Sequence, residues 1–361
     1  MSSRNERKKA AGKRSSASSA DGGSIPHLRT FLFVATSLAV LAYFTTYLNA
    51  WTNVLAQTQT TSDGNQLVFD NNDAAPTTEP PREARLGDGC YHVFLDVGAN
   101  RGVHGRFLYE PHLYPKSVFS VGFFGREYGE SRYNRDYCVF EFEANSIHWP
   151  HLQETSAAYA KMGWKYHLIE AAVSDQTGNT TFFHQGTQDS TFEEWGFSGA
   201  KNLNEEGGWE EQVPSVRLSE WIDYHIHQRI VPEFPPSVTA DNTTTIDPVV
   251  TDIKAPKLGM KMDIEGFEYV VLPDMIHTGV ACNFDFIFGE FHPKFAPMDQ
   301  FRVDENNFHR VELGTKKQAY EYGLALQTIM QASRNCGVKW QYADDESYLH
   351  DNTPLPVPPV V

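Results

Sequence analysis

The sequence is short of cysteine and of positive charge. Only four of its 361 residues are cysteines, and 46 acidic side chains stand against 30 lysines and arginines, for a formal net charge of −16. Residues 1–29 hold seven basic residues against two acids, so the acidic excess lies in the rest of the chain. An acidic domain repels polyanions, which argues against a nucleic acid as its partner. The cysteine spacing is not that of a zinc ligand set.

Long uncharged runs are also scarce, and the candidate membrane span is residues 31–51. A run of this length is enough to cross a bilayer as a helix. Basic residues precede it and no lysine or arginine follows until Arg82. The positive-inside rule therefore predicts a cytosolic tail (residues 1–30) and a type II membrane protein whose main domain is lumenal, in the ER or Golgi. A cleaved signal peptide is the alternative.

The four cysteines fall on the predicted lumenal side, where disulfides persist. They allow three pairings, or free thiols. Cys90 and Cys138 each come shortly before a predicted strand end, so we expect a Cys90–Cys138 disulfide. The glycosylation sequons at Asn179 and Asn242 fit an exposed surface in the secretory pathway.

The rest of the chain divides into a polar stem (52–89), a folded domain (90–350) and a disordered tail (351–361). Within the domain, apolar strand patterns alternate with helical ones, which predicts an α/β fold. Predicted strands include 91–97, 164–173 and 258–262. The aromatic-rich stretch 109–137 is irregular and indicates an insertion. Its aromatic side chains would form either a small core or a stacking surface for a sugar or lipid.

The first predicted strand ends in a glycine-rich turn. Asp96 closes an apolar run, and Gly98, Asn100 and Gly102 follow at alternate positions. Glycines at such a turn let a ligand approach the backbone, and the following helix offers unpaired N–H groups. Asn100 stands where a dinucleotide-binding Gly-x-Gly-x-x-Gly turn needs its second glycine. A nicotinamide oxidoreductase is therefore disfavoured.

The second and third strand ends predict contacts to a nucleoside. Glu143 follows the second strand, where an acid can accept hydrogen bonds from a ribose diol. Glu141 is the alternative, one pleat deeper on the same side. Ala172 belongs to a small apolar segment that would frame an adenine.

The fourth and fifth strand ends carry a cluster of titratable groups. Asp263 and Glu265 follow one strand, and Glu290 and His292 follow the next. If the two strands are neighbours, these four side chains lie close together at the carboxyl edge of the sheet. Like charges at such density need a ligand, a cation or solvent. Carboxylates at a sugar site need no metal, so no metal is predicted, and a divalent ion held by Asp263, Glu265 and Glu290 is the alternative.

Together these segments resemble the FkbM-type methyltransferases, a branch of the S-adenosylmethionine (SAM)-dependent O-methyltransferases. The resemblance covers residues 91–293, and its most distinctive part is Lys261–Glu268. It implies a seven-stranded Rossmann-like sheet with helices on both faces. It also implies that SAM is bound by Asp96, Gly98, Asn100, Gly102 and Glu143. Ala144 departs from the family, which often has proline there, and the stretches 109–137 and 232–256 are additional.

The expected activity is methyl transfer from SAM to a hydroxyl, which needs an aligned acceptor and a base. His292 is the first candidate base and Asp263 the second, with Glu265 and Glu290 orienting the acceptor. The predicted topology favours a glycan or another acceptor of the secretory pathway. The alternatives are a stem-anchored glycosyltransferase that uses Asp263 and Glu265 with a metal, and an inactive methyltransferase-fold binding protein.

Overall fold

The computed structural model describes residues 82–129, 133–184, 197–198, 209–236, 254–293, 295–296, 316–332, 336–343, 345, 347–348, 350 and 352–358. All of these belong to one of the two compact units of the chain, Pro81–Val361. The predicted membrane segment 31–51 and the stem up to residue 81 lie outside the described residues. Within the described ranges, no helix has the length and apolarity needed to cross a membrane.

The described residues form ten strands and six α-helices. The strands are β1 (His92–Val97), β2 (Tyr137–Phe142), β3 (Lys165–Ile169), β4 (Ala172–Ser174), β5 (Gly178–His184), β6 (Phe197–Ser198), β7 (Trp209–Arg217), β8 (Leu258–Met262), β9 (Phe286–Gly289) and β10 (Lys339–Tyr342). The helices are α1 (Val103–Tyr109), α2 (Phe124–Tyr128), α3 (Trp149–Lys161), α4 (Leu218–Ile222), α5 (Glu268–His277) and α6 (Lys316–Ala332). Shorter helical turns cover 111–113, 119–123, 134–136, 223–227 and 280–283.

Six parallel strands form the central sheet, in the order β10-β9-β8-β1-β2-β3. Leu95 of β1 faces a core that also contains side chains of α4, α5 and α6. Phe94 faces the opposite core, with side chains of α1, α2 and α3. Covering both faces explains why the central strands are mostly apolar in sequence. The prediction of an α/β fold with a largely parallel sheet is confirmed.

The predicted sheet differs from the observed one in two details. The central sheet has six strands within the described residues, where the family resemblance implied seven. The predicted strand 164–173 is divided: the N–H of Ala171 bonds to the carbonyl of Ile169 (2.8 Å), which turns the chain out of the sheet. The following strand, β4, joins a second sheet in the order β4-β7-β5-β6.

The aromatic insertion forms a core rather than an exposed stacking surface. Seven of the eight aromatic side chains in 109–137 are buried in the core beside the central sheet, and the ring of Phe119 stacks on Phe288 of β9 with centroids 4.4 Å apart. Tyr133 is the exception, with 43% of its surface exposed. The interpretation of these aromatic residues as a small core is therefore confirmed.

All four cysteines are paired. The predicted Cys90–Cys138 disulfide joins the starts of β1 and β2. A second disulfide, Cys282–Cys336, links the segment before β9 to the segment before β10. Each one ties together the amino ends of two neighbouring parallel strands.

Contacts of the domain extend beyond the predicted boundaries at 90 and 350. Arg82 and Asp88, assigned to the stem, form an ion pair of 2.6 Å, and Arg82 also donates to the carbonyl of Gln228. At the other end, the buried guanidinium of Arg106 donates to the carbonyls of Thr353 and Pro354, within the predicted tail. Both flanking segments thus make specific contacts with the domain.

Candidate active site

The strand order reverses between β1 and β8, which are neighbours in the middle of the sheet. From β1 the chain continues to β2 and β3 on one side, and from β8 to β9 and β10 on the other. Ligands of open parallel sheets bind at the carboxyl ends of the strands at such a reversal. A cleft of about 840 Å³, including its open mouth, lies there. Its walls include Gly98, Asn100, Glu143, Ala172, Asp263 and Glu265.

The turn after β1 forms the floor of the cleft. Gly98 has a φ of +82°, and Asn100 and Gly102 are also left-handed, with φ of +52° and +69°. A Cβ atom at Gly98 would overlap the backbone carbonyl oxygen of Asp263, so only glycine fits there. The side-chain Oδ1 of Asn100 is buried without a hydrogen-bond partner among the described residues. This atom is an unused acceptor in the wall of the cleft.

Glu143 lies on the cleft wall at the end of β2, as predicted. One carboxylate oxygen accepts the N–H of Asn100 (2.6 Å) and the other accepts the N–H of Asn145 (2.7 Å). Burial raises the pKa of Glu143 to about 7, against the lowering effect of those two N–H groups. Each oxygen keeps a further lone pair, so the carboxylate can still accept hydroxyl groups of a ligand.

Asp96 and Gly102 do not line the cleft, although the family resemblance implied that they contact SAM. Asp96 is fully buried beneath the turn, in register with Glu141 of β2 and Lys261 of β8. The ammonium of Lys261 lies 3.6 Å from Asp96 and donates to the carbonyl of Gly98 (2.6 Å). Burial raises the pKa of Asp96 and raises that of Glu141 further, with Asp96 beside it. This row of buried titratable side chains supports the turn from below.

An apolar wall closes the side of the cleft next to the second sheet. It contains Ala171, Ala172 and Val173, the segment predicted to frame an adenine. The ring of Phe182 stacks on Phe197 at 4.6 Å and on Phe267 at 5.2 Å, and all three rings line the cleft. This second sheet was not foreseen as part of the site.

The predicted acidic cluster comes together as expected at the ends of β8 and β9. Asp263 and Glu265 line the cleft, and the Nε2 atom of His292 lies 3.6 Å from Asp263 and 3.7 Å from Glu290. Glu290 also accepts a hydrogen bond from the hydroxyl of Tyr342 (3.0 Å). His292 and Glu290 themselves are not among the residues that line the cleft.

The predicted role of His292 as a neutral base does not fit its surroundings. Burial lowers the pKa of His292, but the carboxylates of Glu268, Glu265 and Asp263 outweigh burial and raise it to about 10. The imidazole is then protonated at neutral pH and cannot accept another proton. In this arrangement Asp263, the second predicted base, is the better placed of the two, because it also lines the cleft.

Glu268 is a central residue of the site that the sequence did not single out. Its side chain is fully buried and accepts the N–H groups of Ile264 (2.9 Å) and Gly266 (3.0 Å). The same carboxylate bonds the Nδ1 atom of His292 at 3.0 Å. The sequence signal that could have identified Glu268 is its position in the first turn of α5, where an acid can cap the preceding loop.

The residues present fit SAM. Glu143 is placed for a ribose diol, the unused Oδ1 of Asn100 for an ammonium group, and the Ala171–Val173 wall for an adenine.

Comparisons with known proteins agree with this arrangement. The model of the methyltransferase FkbM domain matches residues 96–322, which include every predicted site residue. No curated protein and no solved structure matches the chain. The family match spans more than half of the sequence and runs from the end of β1 into α6. The chain therefore belongs to the family of FkbM-type methyltransferases.

Proposed function

We propose that this protein is a SAM-dependent O-methyltransferase that acts on a hydroxyl of a glycan or another acceptor of the secretory pathway. The observation that carries the proposal is the position of Glu143, whose carboxylate lies on the wall of the cleft at the strand-order reversal. When bound there, SAM supplies an electrophilic methyl group on its sulfonium sulfur. The chain's own residues hold that group and the acceptor in line.

The cofactor side of the cleft is built mostly from backbone and buried groups. Glu143 accepts the ribose hydroxyls, and its two backbone donors, Asn100 and Asn145, keep the carboxylate in place. Asn100 accepts the ammonium of the methionine part through Oδ1. The turn at Gly98 lets the ligand lie against the backbone.

The acceptor side is formed by the carboxylates after β8. Asp263 and Glu265 line the cleft beside the apolar rings of Phe182 and Phe267. A carboxylate pair next to aromatic faces suits a polyhydroxylated ring, which offers hydroxyl donors and apolar C–H faces together. Asp263 accepts the acceptor proton, and the charged His292 beside it orients that carboxylate.

The secretory acceptor is supported by features outside the cleft. All four cysteines form disulfides, which persist in oxidising compartments. The sequon asparagine Asn179 is exposed at the start of β5, and Asn242 lies outside the described residues. The acidic surface and the predicted anchor at 31–51 fit a lumenal enzyme.

The test is transfer of label from SAM to a mixed glycan and lipid extract by the full-length protein. We expect label in a hydroxyl-bearing product and loss of that label in Glu143→Ala. Calorimetry with S-adenosylhomocysteine on the same protein measures cofactor binding separately. Binding of S-adenosylhomocysteine without label on any hydroxyl would indicate a non-catalytic binding protein. Label on protein amines would show that the proposed acceptor class is wrong.

The glycosyltransferase alternative receives no support from the family match. A nucleotide sugar with Mn²⁺, added in place of SAM, tests it in the same assay. Stabilisation by the nucleotide sugar but not by S-adenosylhomocysteine would reverse the proposal.

A further inference from the structure

We propose that Asp263, Glu265 and His292 form a binding site for one divalent cation of the Mg²⁺ or Mn²⁺ class, on the acceptor side of the cleft. One ligand atom from each of the three residues lies within 4.8 Å of the other two. The sequence predicted no metal here. The binding of the cation stands on these residues alone, whereas its role towards an acceptor rests on the proposed function.

The orientation of His292 is that of a metal ligand, and a bound cation would take the place of the proton that the imidazole carries in the ion-free protein. Its Nδ1 atom bonds the buried carboxylate of Glu268 at 3.0 Å, which directs Nε2 towards Asp263. Metal-binding histidines characteristically bond a carboxylate through the second ring nitrogen in this way. Nε2 is 3.6 Å from Asp263, too long for a hydrogen bond. That separation is close to the spacing of roughly 3 Å expected for two ligand atoms about 2.1 Å from one small cation.

The same buried carboxylate also holds the loop that carries the other two ligands. Glu268 accepts the N–H groups of Ile264 and Gly266, the residues on either side of Glu265. Glu265 and His292 are therefore positioned by one residue that does not itself face the cleft. Holding these two ligands in place lowers the entropy cost of binding an ion.

An ion can reach the site and keep positions open to the cleft. The side chains of Asp263 and His292 are 17% and 13% exposed. Three protein ligands leave room in an octahedral shell for water or for hydroxyl oxygens of an acceptor. A carboxylate-rich set with one imidazole favours Mg²⁺ or Mn²⁺ over thiophilic metals. An acceptor hydroxyl bound to the cation would lose its proton more readily.

Mn²⁺ binding to the full-length protein, stripped with EDTA and followed by electron paramagnetic resonance, tests the site. We expect one site per chain, weakened roughly tenfold or more in each of Asp263→Asn, Glu265→Gln and His292→Gln. Glu211→Gln is the matched control, because Glu211 pairs with His184 at 2.7 Å outside the cluster. It should leave Mn²⁺ affinity unchanged. Absence of a site in the wild type, or equal binding in all three ligand variants, would overturn the proposal.

S-adenosylhomocysteine binding in EDTA separates this inference from the proposed function. If the nucleoside binds and Mn²⁺ does not, the cation site is wrong and the methyltransferase proposal stands. If Mn²⁺ binds and the nucleoside does not, the cation site stands and the methyltransferase proposal is wrong. Thermal unfolding of each variant in EDTA identifies any substitution that disturbs the fold, and the other two variants then decide the outcome.

Discussion

Gly98 packs directly against the backbone carbonyl of Asp263, so closely that no side chain fits between them. Gly98 belongs to the turn on the cofactor side of the cleft, and Asp263 carries a carboxylate of the acceptor side. The N–H of Asp263 also bonds the carbonyl of Val97 at 3.0 Å. The two halves of the site are thus joined through rigid backbone rather than through flexible side chains.

Gly98→Ala should damage both stability and cofactor binding. The substitution combines a left-handed φ with overlap onto backbone that cannot move aside, so we expect a loss of about 3 kcal/mol in the free energy of unfolding. Gly163→Ala is the matched control, because its φ is +74° but nothing lies within 4 Å of the added Cβ. It should cost about 1 kcal/mol. Urea unfolding measures the stability of the two variants, and calorimetry with S-adenosylhomocysteine measures their cofactor binding. Equal losses of stability would show that the contact with Asp263 is unimportant.

Cofactor affinity should rise with pH around neutrality. The pKa of Glu143 is about 7, so the side chain is largely protonated at pH 6 and ionised at pH 8. Ribose hydroxyls donate to the ionised form, so raising the pH from 6 to 8 should tighten S-adenosylhomocysteine binding about tenfold. Calorimetry across this range measures the effect. Glu143→Gln should bind more weakly and lose the pH dependence, whereas an unchanged slope in the variant would assign it to another group.

His92 should make the domain sensitive to acid. Burial lowers its pKa to about 4, with Lys257 and Arg229 adding to the effect, and its Nδ1 accepts the N–H of Lys257 (3.2 Å). The unfolded chain has the ordinary pKa of 6.5, so the stabilisation is complete above pH 6.5 and is lost as pH falls towards 4. The loss should approach about 3 kcal/mol.

Urea unfolding at pH 7 and pH 4.5 measures that loss. His92→Gln should flatten the pH dependence, because glutamine can accept the same N–H without taking up a proton. His112→Gln removes an exposed imidazole instead and is the control. Parallel curves for the wild type and His92→Gln would contradict the prediction.

The two disulfides should stabilise the domain to nearly equal extents. Their sequence separations are 48 and 54 residues, and the loop-entropy model depends on the logarithm of that number. We expect Cys90→Ala/Cys138→Ala and Cys282→Ala/Cys336→Ala each to lose about 4 kcal/mol of unfolding free energy. Denaturant unfolding of the two double variants makes the comparison. A much larger loss for one pair would show that native contacts around it, rather than loop closure, dominate.

Much of the fold could be read from local pattern. The strand 258–262 is observed with its predicted ends, because Pro256 and Asp263 lie on either side of a short, mostly apolar segment. The stretch 164–173 was predicted as one strand because apolar residues continue on both sides of Glu170. The turn at Ile169 depends on a backbone hydrogen bond that composition does not reveal.

The sequence predicted which residues lie at the site but not the role of each one. The prediction from the strand ends correctly placed Glu143, Asp263 and His292 at one edge of the sheet. The pKa of His292 depends on Glu268, which lies 24 residues away and meets it only in the fold. The burial of Asp96 likewise depends on the register of β1 with β2 and β8, which no single motif contains.

The two disulfide rings do not overlap along the chain. Cys90 and Cys138 both leave the ribosome well before Cys282, so the first pair can close while no competing thiol is present. Only the second pair then remains, and it has a single partner choice. The order of synthesis alone can therefore select the native pairing from the three possible ones, with little demand on an isomerase to correct mistakes.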